Sequence, residues 1–390
     1  VTPDGDASSD GDAASEDAEA PPVDASGDVK LDGTGDVATP AVASAGDIAT
    51  RLARFLWAKS SASTEIEAQV AADPSPEGIA NIAKVMLADA RARDGVDAFF
   101  RWLLRLDDLA TQPKSIDGLT PNLRASLARE APIFANSVMF DGDDSFESLF
   151  LAPYTFMDGV LAGHYGVSKQ DGAAFDRTPY PTRDRVGILG GAGVLTRYAG
   201  TSQPTWPARR YWLLSDVLTC ELFKLAAPSP AVLGTPTDPN LPVRAQLIEV
   251  TKSSACMECH VVVNPLGFAF NAFDTLGRQQ DSDVNVPVDS SGGTPAVGMV
   301  PALTFQGQAD LMQKLVALPA TRACFAHRLF AYAINDSPPG SDMDHGLADL
   351  KSPTFRSGLK EVMARFEAGG SLKDLWIEVV RNPSFWSETQ

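Results

Sequence analysis

Four successive stretches before residue 141 place apolar residues at helical spacing, and this period constrains the fold more than any other feature. In "DIATRLARFLWA" (47–58), Ile48, Leu52, Phe55 and Leu56 fall on one side of a helix, with Asp47 as the expected N-cap. "SPEGIANIAKVMLADARA" (75–92) repeats the pattern through Ile79, Ile82, Val85, Met86 and Ala90. "VDAFFRWLLRL" (96–106) and "TPNLRASLAREAPIFANSVMF" (120–140) follow. A helix with one apolar stripe has to bury it against another element, so four in a row predict a helical packing unit.

Charge separates that unit from what precedes it. The chain of 390 residues has room for two or three domains and a net charge of −18. Residues 1–46 hold eleven acidic residues against one lysine, a net −10, and no aromatic residue. Such a segment buries too little apolar surface to offset its ordering entropy, and reads as a disordered acidic tether. The rest carries −8 and offers no basic face for nucleic acid. No apolar run reaches 18 residues, so no transmembrane segment is expected. "VTPDGDASSDGD" has neither the basic start nor the apolar stretch of a signal peptide. A start at Val1 fits a removed export signal, with a fragment boundary as the plainer alternative. The tether would suit a lipid anchor upstream of Val1.

Residues 146–226 continue in helical style, broken by "RVGILGGAGVLTRYAG" (185–200). That stretch lacks the order of a phosphate loop, so Gly190, Gly191 and Gly193 are expected to allow close approach of a helix or a flat ligand. Five prolines mark 227–242 as a linker. The expected organisation is a tether (1–46), helical domain or domains (47–226), the linker (227–242), a haem-binding domain (243–340) and a C-terminal helical pair (341–390). Gly369-Gly370 splits that pair, and Ser371 with Asp374 forms a variant capping box. The predicted class is mainly α, with bundle-like domains and a small loop or hairpin insertion at 281–298.

The haem assignment rests on Cys256-Met257-Glu258-Cys259-His260. Cysteines at i and i+3 lie about one helical turn apart, a spacing that suits thioether bonds to the two vinyl groups of one haem. The histidine that follows is then the proximal iron ligand, which is why C-x-x-C-H is read as c-type haem attachment. Zinc would need a second close pair of ligands, for which Cys324 and His327 are the nearest candidates. A redox disulfide would want a βαβ setting. One covalent haem c is the preferred reading. It implies export, where disulfides persist, and so favours a Cys220–Cys324 bridge over two buried thiols. For the sixth iron position, Met299 lies 39 residues after His260, and His327 lies on a predicted helix. An open or water-bound position is the alternative. "DSDVN" (281–285) starts like a calcium loop but lacks its Gly and Glu, and reads as a polar turn.

The segment "ACMECHVVVNPLGFAFNAFDTLGR" resembles the C-x-x-C-H-x-x-x-D-P-x-G-F-x-x-E-x-F-D-x-x-G-x-x-R signature of planctomycete-type secreted cytochrome-c-like multi-domain proteins. "MLADARA" (86–92), "ACFAHRLFAYAI" and "GGSLKDLWIEVVRNPSFW" resemble further segments of that family, whose members are of poorly known function. The resemblance implies Cys256 and Cys259 as attachment points, His260 as iron ligand, and Leu266, Phe268 and Phe273 as haem-packing residues. It also matches Cys220 and Cys324 to cysteines of some members. The chain departs from the pattern at Asn264 for Asp, Asn271 for Glu, Gln280 for Arg and Asn335-Asp336 for Gly-Arg. Three functional readings follow. The first is an exported one-electron transfer module acting with a redox partner protein. The second is an extracytoplasmic haem oxidoreductase with an open distal site and an extracellular substrate. The third is a haem-stabilised binding scaffold without turnover.

Overall fold

A computed structural model describes residues 43–386, except 115, 171, 202–206, 221–237, 239, 298–299 and 335–352. Residues 1–42 of the expected tether, most of the Pro-rich linker, Met299 and Asn335-Asp336 lie outside the described residues, whereas 43–46 belong to the start of the first helix rather than to a tether. The structure is mainly α-helical, as the periodicity predicts.

The first helix spans Ala45–Trp57, and its cap corrects the expectation for Asp47. Ser44 is the N-cap, and Asp47 is the third helical residue of a capping box that closes back onto it. A short helix at Thr64–Ala72 escapes the periodicity because it buries only Ile66 and Val70. Helices at Pro76–Ala88, Ala92–Leu103 and Pro121–Asn136 occupy the other expected stretches. Val85 is exposed rather than part of the apolar stripe. The stretch from 146 is less helical than its composition suggests, since Tyr154–Met157 pairs antiparallel with Asp176–Pro179.

The C-terminal helices complete the core. Leu372–Arg381 begins at the capping box of Ser371 and Asp374. It packs on the Pro76–Ala88 helix and delivers Trp376 between Phe55 and Phe99, with ring centroids 6.2 and 5.2 Å away. Phe325, from the Pro319–Ala333 helix, sits edge-on to Phe99 and Phe150. Aromatic pairs at these separations add to the stabilisation from burial alone.

The Gly-rich stretch packs against a helix. Gly193 lies directly on the Pro121–Asn136 helix, where any side chain would run into the Leu127 carbonyl. Beneath it, the fully buried Glu130 accepts hydrogen bonds from Thr155 Oγ1 (3.0 Å), Tyr165 OH (2.5 Å) and the Gly193 amide (3.0 Å). Burial raises the carboxyl pKa, while those donors and the nearby Arg185 oppose the rise. Arg185 is itself buried, donating to the carbonyls of Gly190 (2.6 Å) and Gly277 (2.5 Å) and lying 4.2 Å over the Phe273 ring. This polar knot ties the helical part to the segment that follows the Cys-x-x-Cys-His helix.

Two hairpins make the insertion. Ser282–Asp283 pairs with Val286–Pro287, and Ser291–Thr294 pairs with Leu303–Gln306. Between the first two strands Val284 and Asn285 both have positive φ, as a two-residue hairpin turn requires. "DSDVN" is therefore the polar turn that its sequence suggests.

A thiol pair and an oriented histidine on one helix

Cys256, Cys259 and His260 lie on the Ser254–Phe268 helix, whose N-cap Ser253 accepts from the Cys256 amide. The helix changes character along its length. Its first turns are exposed or half-buried, whereas Val262–Asn264 and Leu266–Phe268 are buried. Residues at i, i+3 and i+4 share a helical face, so both cysteines and the imidazole are presented together from the accessible turns. Both cysteines carry thiols. Pro265 removes the N–H that the Val261 carbonyl would take inside the helix.

The helix is held from two sides. On one, Pro207–Leu214 packs along it and brings Tyr211 near Cys259. Burial holds the Tyr211 hydroxyl protonated well above its ordinary range, and Cys259 adds to that effect. On the other lies Val243–Thr251. Here Asn264 is 2.6 Å from His260 Nδ1 through Oδ1, and its Nδ2 donates to Thr251 Oγ1 at 2.9 Å. Thr251 donates in turn to the Leu247 carbonyl at 2.7 Å. Among the described residues none partners His260 Nε2.

The other expected site residues are placed as follows. Leu266, Phe268 and Phe273 are all buried. The Arg244 guanidinium lies 4.2 Å over the Phe268 ring. Cys220 and Cys324 form a disulfide with Cα atoms 5.7 Å apart. His327 is buried against it, its Nδ1 3.9 Å from Cys220 Sγ, and burial lowers its pKa to about 4. The bridge engages Cys324, one of the cysteines a zinc site would have needed. Among the described residues no three His, Cys, Asp or Glu side chains gather as a metal site.

Beside the helix's buried end is a cavity of about 310 Å³, lined in part by Arg244, Ile248, Phe270, Phe273, Asn271 and Gln280. Two of the departures noted above meet here, because Gln280 Nε2 donates to the Asn271 carbonyl at 2.7 Å. Sequence reasoning missed this cavity, and the joint loss of two charges was its only signal.

Residues 44–167 match the family model PSD4, a protein of unknown function (DUF1592). Residues 185–283 match PSCyt3, a protein of unknown function (DUF1588). These matches support the planctomycete cytochrome-c-like families in broad terms. The second span contains the Cys-x-x-Cys-His helix. No curated protein and no solved structure matches the chain. Among the described residues no helix is long and apolar enough to cross a membrane.

Proposed function

We propose that this chain is an exported protein with one covalently bound haem c that transfers single electrons. The observation that carries the reading is the placement of two thiols and one imidazole on a single face of a helix, on its accessible turns. The donor set fits the group: Cys256 and Cys259 would hold it, and His260 would ligate its iron. When bound, such a haem supplies a reversible one-electron couple whose potential responds to axial ligation, hydrogen bonding and burial. Leu266, Phe268 and Phe273, all buried, are the residues that the resemblance would assign to packing against it. His327 sits against the disulfide and Met299 lies outside the described residues, so the second ligand that a six-coordinate haem needs is not assigned to a residue. The disulfide is compatible with an oxidising compartment.

The test is the optical spectrum of protein matured in a host that attaches haem c. A low-spin, six-coordinate spectrum with a reversible one-electron titration is expected. A high-spin haem that binds carbon monoxide and peroxide would overturn the transfer reading in favour of an oxidoreductase.

A further inference from the structure

We infer that Asn264 is the positioning residue of His260, and that the tautomer of the imidazole is dictated by the Leu247 carbonyl through Thr251 and Asn264. What this does to the iron rests on the haem reading above, whereas the tautomer does not.

The polarity of the chain follows from its buried end. A carbonyl oxygen only accepts, so the Thr251 hydroxyl, 2.7 Å from the Leu247 oxygen, donates to it. The Thr251 oxygen therefore accepts from Asn264, and the group facing it at 2.9 Å is the amide Nδ2. That turns Oδ1 toward His260, where it meets Nδ1 at 2.6 Å. An amide oxygen also only accepts, so Nδ1 carries the proton and Nε2 the lone pair. Flipping the amide would reverse every step and set two acceptors, Thr251 Oγ1 and the Leu247 carbonyl, against each other. Thr251 is fully buried and Asn264 is 5% exposed, so water does not relieve such a flip. Two acceptors held 2.7 Å apart in a dry interior repel each other, which holds a single arrangement.

The consequence is a preset ligand. Nε2 is the nitrogen available to a metal, and a hydrogen bond at the other ring nitrogen fixes ring orientation and tunes ligand basicity. Asn264 does this as a neutral acceptor. A carboxylate in its place would draw the Nδ1 proton more strongly, enrich the ring in electron density and favour the oxidised iron.

Two readouts test this on the full-length chain. Long-range nitrogen-15 correlation on haem-free protein, at a pH where imidazole is neutral, is expected to show His260 with the proton on Nδ1, identified by loss of the resonance in His260→Gln. Thr251→Val should lose that preference, and Thr251→Ser should restore it. A His260 protonated on Nε2 in the unaltered chain would overturn the inference, whether or not haem is ever attached. In haem-loaded protein, Asn264→Asp is expected to lower the midpoint potential with haem content unchanged. An unchanged potential in Asn264→Asp would refute the positioning role. Absence of attached haem would defeat the haem reading alone, and the tautomer would still decide this one.

Discussion

A chain carrying Cys220→Ser and Cys324→Ser is expected to lose about 4–5 kcal/mol of stability on the chain-entropy account of a bridge that closes a loop of this length. The two cysteines are 104 residues apart in sequence, and the bridge joins the end of the Pro207–Leu214 region to the Pro319–Ala333 helix. Everything between them, including the Cys-x-x-Cys-His helix, lies within the closed loop. Reduction therefore frees the unfolded chain while the aromatic core around Phe325 has to hold the same ends together alone. Denaturant unfolding of the double variant measures the loss. A loss below about 1 kcal/mol would mean that packing already confines the loop in the unfolded ensemble.

Replacing Glu130 by Leu is expected to destabilise the fold by about 3–5 kcal/mol, since stranded buried donors cost about 1–3 kcal/mol each, with some relaxation. The donors are Thr155 Oγ1, Tyr165 OH and the Gly193 amide, and all three are buried. Leucine nearly fills the volume but accepts nothing, and it also leaves Arg185 without its nearby carboxyl. Glu130→Gln keeps an acceptor oxygen and most of the shape, so a smaller loss is expected. Equal stability of the Leu variant and the natural chain in urea unfolding would show that the knot contributes nothing net.

How much of this was legible in the residues depends on the range over which each feature is specified. The long helices were, because stripes such as Ile48-Leu52-Phe55-Leu56 are local. Ser371 and Asp374 were, because a capping box is written within four residues. The Thr64–Ala72 helix was not, since two anchors, Ile66 and Val70, make no readable period. Asp47 was misplaced as an N-cap because Ser44 precedes it by one turn and competes for the role. The Tyr154–Met157 strand is specified by pairing with residues 19 to 25 positions away, which no local pattern reports. At the site, the i, i+3 and i+4 spacing of Cys256, Cys259 and His260 was visible. So was Asn264, four residues after His260 on the same helical face, but only as a missing charge. Its work depends on Thr251, which belongs to a different helix and carries no motif.

The central claim is the covalent haem on Cys256 and Cys259. The most direct measurement is a pyridine haemochrome spectrum with intact mass, on protein exported from a host with cytochrome c maturation. The expected result is a c-type spectrum and the mass of one haem on the chain, both lost in Cys256→Ala/Cys259→Ala. An unmodified mass without a haemochrome band, from a host that matures other c-type cytochromes, would contradict the account.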